Sequence, residues 1–146
     1  MIHPVRIAHR GASGDGLAPE NTLAAFEKAI QIGVDAVEVD VHATLDNRVI
    51  VIHDATLDRT TDRFGVVKEM TFGEIREADA GSWYGAQFRE ERVPALEEVL
   101  DLARHRALVL IEIKADYLAE RVLQNIVEMD AVSQVIIQSF NQQTIR

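Results

Sequence analysis

Residues 36–54 read AVEVDVHATLDNRVIVIHD, a stretch in which charged residues interrupt apolar segments. Two segments rich in Val and Ile flank the short polar turn TLDN, and such segments are typical of buried β-strands. The first segment nevertheless contains Glu38 and Asp40, and the second ends at His53. Because burying an unpaired charge costs several kcal/mol, these three positions need either partners or a function.

Strands and helices alternate along the rest of the chain. The hydrophobic pattern predicts strands at Val5–His9, Asp35–Val41, Arg48–His53, Ala107–Lys114 and Gln134–Phe140. Helices are predicted around Leu23–Ile30, after Pro94, and around Leu118–Ile126, where Val122 and Leu123 complete the apolar face. This alternation favours a parallel α/β fold of about four β/α units. Since an eight-stranded barrel needs about 250 residues, the chain is either a small open sheet or the first part of a barrel.

Composition excludes several classes of protein. The 146 residues include 15 Lys and Arg against 24 Asp and Glu, a net charge of −9, which argues against binding to nucleic acid. The absence of Cys excludes disulfides, thiolate nucleophiles and Cys-ligated zinc. Neither an apolar run long enough to span a bilayer nor a signal peptide is visible, so we expect no stable membrane insertion and a cytoplasmic location.

Carboxylates are predicted to cluster at one end of the sheet. Alternate residues of a strand point to the same side, so Glu38, Asp40 and His42 share a face, as do Glu112 and Lys114 in IEIK. Carboxylate oxygens are the ligands that Mg²⁺, Mn²⁺ and Ca²⁺ prefer. The alternative is a set of internal ion pairs, in which Glu112 or Asp40 contacts Lys114 or Arg10. The spacing alone leaves both interpretations open.

Two histidines occupy equivalent places. His9 and His53 each end an apolar run and precede a polar residue, in HRG and HD. The C-terminal ends of parallel strands form the active face of α/β proteins, where two imidazoles could act as general acid and general base. A structural role is the alternative for each histidine taken alone. Arg10 and Lys114 add two cations, and the whole set is typical of a phosphodiesterase site.

The chain resembles the glycerophosphodiester phosphodiesterase family. The matching segments occur in the family's order and cover most of the chain: HRGASGDGLAPENTLAAF (9–26), EVDVHATLDNRVIVIHD (38–54), VPALEEVL (93–100), IEIK (111–114) and IIQSF (136–140). The resemblance implies a TIM (β/α)8 barrel, of which residues 1–146 form a single domain holding about the first half. Residues 54–92 would be a segment inserted after the second strand motif.

The resemblance also implies a mechanism. It places a divalent metal, Mg²⁺ or Ca²⁺ with Mn²⁺ as a further option, on Glu38, Asp40 and Glu112. It makes His9 and His53 the acid–base pair that hydrolyses a small glycerophosphodiester to an alcohol and sn-glycerol 3-phosphate. Arg10 and Lys114 would bind the substrate phosphate. Asn21 and His42 are expected to support these residues, although Asn21 could equally be a helix N-cap.

Two other functions remain open at this point. One is a phospholipase D-like barrel that acts on intact lipids, against which the acidic composition counts. The other is a non-catalytic binding or assembly module, since half a barrel exposes sheet edges and an apolar face and could self-associate.

Overall fold

A five-stranded sheet organises the protein, whose computed structural model describes residues 4–141 and 143. The strands are β1 (Ile7–Ala8), β2 (Ala36–Ala43), β3 (Val49–Val51), β4 (Leu108–Ile113) and β5 (Val135–Gln138). Strands β1, β2, β4 and β5 are parallel and adjacent in that order. The predicted parallel α/β architecture is therefore confirmed for these four strands.

Strand β3 departs from the prediction because it runs antiparallel to β2. Val41 pairs with Val51 on one side and with Ile113 on the other, so β3 and β4 flank opposite edges of β2. The connection between β2 and β3 is a tight turn in which the Thr44 N–H donates to the Arg48 carbonyl over 3.0 Å. A parallel pair needs a crossover of a dozen residues or more, and this turn is far too short for one.

The helices are α1 (Leu23–Ile32), α2 (Phe72–Arg76), α3 (Leu96–Ala103) and α4 (Ala119–Glu128). Helices α1, α3 and α4 pack against one face of the sheet, where they bury the odd-numbered residues of β2 and β4 in a common core. In α4 the buried stripe is Val122 and Ile126, whereas Leu123 is 50% exposed, contrary to prediction. Leu123 lies one residue off the i, i+4 stripe and so points away from the sheet. Among the helices of the described residues, none has the length and apolar character needed to cross a membrane.

The opposite face of the sheet carries the polar residues. Strand register places Asp40 beside Glu112, and Glu38 two residues before Asp40 on the same side. The same register puts Ile7, Leu108 and Ile136 on this face, and all three side chains are exposed. We call this surface the inner face, because it would line the interior if the sheet closed into a barrel.

Residues 54–92 build a small unit beside the sheet. Its apolar cluster joins Leu57, Val67 and Ile75 to Ile50 of β3. A capping box at Thr71 begins α2, since the Thr71 hydroxyl accepts from the backbone N–H of Glu74 and the Glu74 side chain accepts from the backbone N–H of Thr71.

Candidate active site

Three buried carboxylates meet on the inner face. Glu38, Asp40 and Glu112 each offer an oxygen, and these oxygens all lie within 4.8 Å of one another. They meet because strand parity aligns the two β2 residues and the parallel register brings β4 alongside. Ligand oxygens at this spacing could hold a divalent metal ion.

Two cations neutralise part of this negative charge. Lys114 Nζ lies 2.8 Å from Asp40 Oδ1 and 2.6 Å from Glu112 Oε1. Arg10 Nε lies 3.2 Å from Asp40 Oδ2. Burial alone would raise the pKa of Asp40, but its contacts with Lys114, with the Asn21 amide and with Arg10 hold the pKa below its ordinary value. The ion pairs that the sequence left as an alternative are therefore present for Asp40 and Glu112.

Glu38 is different, because its charge is poorly compensated. Its Oε2 accepts the backbone N–H of Arg10 over 2.9 Å and lies 4.0 Å from His9 Nε2. Its Oε1 is buried and has no hydrogen-bond partner among the described residues. Burial, and then the neighbouring Asp40 charge, raise the pKa of Glu38. A divalent cation would satisfy this oxygen, so the all-carboxylate donor set fits the Mg²⁺ and Ca²⁺ class that the sequence predicts.

The loop after β1 is held in an unusual backbone conformation. Arg10 and Asn21 both have positive φ, 57° and 56°, and the Asn21 N–H donates to the Arg10 carbonyl over 3.0 Å. The Asn21 side chain donates to Asp40 over 3.0 Å and does not cap α1. Thr22 is the N-cap instead, accepting from the Ala25 N–H. With their backbones in this left-handed conformation, Arg10 and Asn21 both direct their side chains to the carboxylate of Asp40.

His53 reaches the site through the reversed strand. Because β3 runs antiparallel, its C-terminal end returns alongside β2, where His42 Nε2 lies 2.9 Å from the His53 carbonyl oxygen. His53 Nδ1 lies 2.7 Å from Asp54 Oδ1, while the exposed His9 follows the end of β1 directly. The site residues predicted from sequence therefore all lie in β2, in β4 or in the segments that follow β1, β3 and β4.

Three further residues were missed by the sequence interpretation. Glu20, Asp54 and Arg59 form a continuous chain of polar contacts between His53 and Arg10. Asp54 could have been suspected, since an acid directly after a candidate catalytic histidine is a common orienting partner. Arg59 gives no comparable signal, because its partner Glu20 is 39 positions away in the sequence.

Beside Glu20 lies an open groove of about 590 Å³. One wall is the loop of residues 13–18, and the other includes Trp83 and Tyr84 from the 54–92 segment. The Tyr84 hydroxyl accepts from the Leu17 N–H over 2.8 Å and donates to the Gly14 carbonyl, which ties the two walls together. Because Glu20 lines it, the groove opens next to the chain of contacts that joins Arg10 to His53.

Comparison with known proteins assigns the chain to a family. The model of the glycerophosphoryl diester phosphodiesterase family matches residues 9–146. The chain belongs to this family. The resemblance stated from the sequence motifs is thus confirmed.

Relatives within the glycerophosphoryl diester phosphodiesterase family are longer than this chain. It is 44% identical over 146 residues to a glycerophosphodiester phosphodiesterase of Caldanaerobacter subterraneus subsp. tengcongensis, covering 96% of the chain and 59% of the relative. A second, from Bacillus subtilis, is 36% identical, covering 99% of the chain and 56% of the relative. The chain thus spans less than two thirds of the length of these curated relatives.

Solved structures of the family share its fold. The crystal structure of a glycerophosphodiester phosphodiesterase from Agrobacterium tumefaciens has a TM-score of 0.87 at 39% identity, covering 97% of this chain and 60% of that one. An Oleispira antarctica phosphodiesterase in complex with its product sn-glycerol-3-phosphate has a TM-score of 0.86 at 34% identity, with the same coverage. These likenesses imply a TIM-barrel fold for the chain.

Proposed function

We propose that the protein hydrolyses glycerophosphodiesters to an alcohol and sn-glycerol 3-phosphate, using a divalent metal and two histidines. The observation that carries the proposal is the cluster of three buried carboxylates beside two cations, in which one Glu38 oxygen has no hydrogen-bond partner among the described residues. Such a combination suits an anionic substrate held next to a metal ion. The product complex of the Oleispira antarctica phosphodiesterase supports the choice of substrate.

The metal would be held by Glu38, Asp40 and Glu112. All-oxygen ligation favours Mg²⁺ or Ca²⁺, with Mn²⁺ as a further candidate. When bound, such an ion supplies positive charge to phosphoryl oxygens and orients the diester. Three carboxylates against Lys114 and Arg10 leave a formal excess of one negative charge, which a divalent cation would more than offset.

Arg10 and Lys114 are proposed to bind the substrate phosphate. Both cations already contact Asp40, and both are largely shielded from solvent. Burial by itself would lower the pKa of Lys114, but its contacts with Asp40 and Glu112 raise it, so the ammonium stays charged. A fixed positive charge next to the carboxylate cluster is suited to stabilising an anionic transition state.

The two histidines are proposed to move protons. In the first step the glycerol 2-hydroxyl oxygen attacks phosphorus, one imidazole takes its proton, and the other protonates the departing alkoxide as the P–O bond breaks. In the second step water opens the cyclic phosphate with the proton transfers reversed. Because Asp54 engages Nδ1 of His53, the atom left for proton exchange on this ring is Nε2.

Enzyme kinetics with glycerophosphocholine and related diesters test this proposal. With Mg²⁺ or Ca²⁺ present, we expect release of glycerol 3-phosphate that a chelator abolishes. His9→Ala and His53→Ala should each lower kcat by about 10²–10⁴-fold, the usual contribution of general acid–base catalysis. His105→Asn is the matched control, because this exposed histidine has φ 59°, a conformation that Asn tolerates.

Two outcomes would overturn the proposal. One is that the metal-loaded protein leaves the whole panel of diesters intact. The other is that both histidine variants match the His105→Asn control. Cleavage of intact phospholipids in vesicles, with no cleavage of the water-soluble diesters, would favour the phospholipase D-like alternative instead.

A further inference from the structure

Arg59 occupies a central position between two carboxylates. Its Nε and Nη2 donate to Asp54 over 2.9 and 3.0 Å, and its Nη1 and Nη2 donate to Glu20 over 2.9 and 2.8 Å. Both contacts are bidentate, an arrangement that the planar guanidinium fork allows and a lysine ammonium does not. The interaction with Glu20, followed by that with Asp54, raises the pKa of Arg59 further above its usual range.

Each carboxylate leads to a different group of the proposed mechanism. Asp54 Oδ1 lies 2.7 Å from His53 Nδ1. Glu20 Oε1 accepts from Arg10 Nη1 over 3.1 Å, and Arg10 in turn contacts Asp40. Arg59 therefore holds both carboxylates in place. Asp54 is the partner of His53, the proposed proton-transfer group, and Glu20 is the partner of Arg10, the proposed phosphate-binding group.

The contact between Arg59 and Glu20 joins two separate segments of the fold. Arg59 belongs to the 54–92 segment, close to Leu57, which is buried in that segment's own apolar cluster. Glu20, by contrast, belongs to the loop that connects β1 to α1. Arg59 thus links the backbone of the 54–92 segment to the loop that carries Arg10.

We propose that Arg59 is a positioning residue that sets the orientation of His53 and Arg10 at the same time. The inference rests on the proposed function for the roles of those two residues. Through Asp54, Arg59 keeps the His53 ring in the tautomer with its proton on Nδ1, which leaves Nε2 free for proton transfer. Through Glu20 it holds the Arg10 guanidinium beside Asp40.

The tautomer of His53 provides the first test. In ¹⁵N–¹H long-range NMR spectra of the protein, recorded where the imidazole is neutral, we expect wild-type His53 to carry its proton on Nδ1. Arg59→Ala should convert this signal to a mixture of both tautomers, because Asp54 loses its bidentate partner. Arg59→Lys, which keeps the charge but loses the fork, should give an intermediate mixture in a protein with an unchanged circular dichroism spectrum.

Arg63→Ala is the matched control. Arg63 lies in the same segment, is 46% exposed against 44% for Arg59, and forms one ion pair with Glu77 at 3.0 Å. This variant should keep the wild-type His53 signal. If both Arg59 variants also keep it, or if Arg63→Ala changes it equally, the positioning role is wrong.

Kinetics on a cleaved diester give the second test. Asp54→Asn should mainly lower kcat, Glu20→Gln should mainly raise KM, and Arg59→Ala should do both, by about 10–100-fold in kcat/KM, as removal of an outer supporting residue does in other sites. Adding Glu20→Gln to Arg59→Ala should raise KM by less than the product of the two separate effects, since both changes break the Glu20–Arg59 contact. Independent, additive effects would contradict the inference.

The two tests separate this inference from the proposed function. The tautomer measurement needs no turnover, so a protein that shows the expected NMR change but cleaves no diester would refute the proposed function alone. A protein that cleaves diesters while both Arg59 variants keep the wild-type tautomer would refute the positioning role alone.

Discussion

Glu38 is the side chain at which folding and the proposed function conflict most clearly. Its carboxylate is buried, and one oxygen lacks a partner among the described residues. The pKa of Glu38 is raised above its ordinary value of 4.5, so the Glu38 carboxylate binds a proton more tightly in the folded state than in the unfolded state. Stability contributed by the protonated form is therefore present at low pH and lost as the pH rises through the raised pKa.

Substituting Glu38 by Gln tests this conflict. In the presence of a chelator at pH 7, we expect Glu38→Gln to raise the free energy of unfolding by about 1 kcal/mol, or the Tm by roughly 3 °C, because it removes a poorly compensated buried charge. The gain should vanish at acid pH, where the wild-type carboxyl is protonated. Thermal unfolding followed by circular dichroism from pH 4 to pH 8 measures both effects.

Metal addition should reverse the order of stability. Mg²⁺ or Ca²⁺ is expected to raise the Tm of the wild type and to leave Glu38→Gln nearly unchanged, since the variant lacks one ligand. Asp101→Asn, a change at an exposed acid of α3, should behave as the wild type. A wild type that is more stable than Glu38→Gln without metal, and indifferent to metal, would contradict the assignment of Glu38 as a ligand.

At this scale the sequence predicted the residues whose placement depends on strand parity. Glu38 and Asp40 share a face because side chains alternate along a strand, and that rule needs no tertiary information. Arg59 could not be found in this way, because its role depends on two carboxylates brought together by the packing of separate loops.

Gly11 shows how one backbone position controls the β1–α1 loop. It has φ 80°, and a Cβ atom there would lie 2.8 Å from the backbone carbonyl carbon of Ala25 in α1. The loop is fastened to the helix at this point, because the Ala12 N–H donates to the Ala25 carbonyl over 2.9 Å. Only glycine allows both the left-handed backbone and the close approach of helix and loop.

We therefore expect Gly11→Ala to lower the free energy of unfolding by about 2–3 kcal/mol, as strain and a backbone clash combine. The rate of diester hydrolysis should fall by more than the loss of folded protein accounts for, because Arg10, the proposed phosphate-binding residue, directly precedes Gly11. Gly73→Ala is the control: Gly73 lies in α2, and a Cβ there would meet no atom of the described part of the chain within 4 Å. Equal unfolding free energies for the two variants in urea would contradict this account of the loop.

The elements themselves were largely predictable, and the error at β3 has a physical reason. The apolar pattern of residues 48–53 indicates a strand but is the same for either direction of pairing. The direction is determined by the length of the connection from β2, and the four-residue turn TLDN is too short for a parallel crossover, so the sequence itself already indicated an antiparallel pair. The consequence for the site is that the reversed strand brings His53 back alongside β2.

On the scale of the whole molecule, the inner face combines the proposed site with exposed apolar residues. Ile7, Leu108 and Ile136 lie on the same side of the sheet as the carboxylates. We propose that the 146-residue chain by itself self-associates through this face. Light scattering should then give a mass above that of a monomer, and Ile136→Lys should lower it, whereas Val127→Lys on the exposed side of α4 should not.

The fold of the whole molecule was predicted through the family motifs more than through the strand pattern. The pattern alone left an open sheet and a barrel as alternatives, since both contain alternating parallel strands and helices. The likeness to the Agrobacterium tumefaciens enzyme implies the barrel. The predictions that residues 54–92 are an insertion and that the chain holds half a barrel stay predictions.

The proposed phosphodiesterase activity depends on a metal ion at the buried carboxylate cluster. The most direct test is ³¹P NMR of glycerophosphocholine incubated with the protein, first with Mg²⁺ or Ca²⁺ and then with a chelator. We predict that the diester signal is replaced by that of sn-glycerol 3-phosphate only when the metal is present. An unchanged diester signal with metal, or cleavage that persists in the chelator, would contradict the claim.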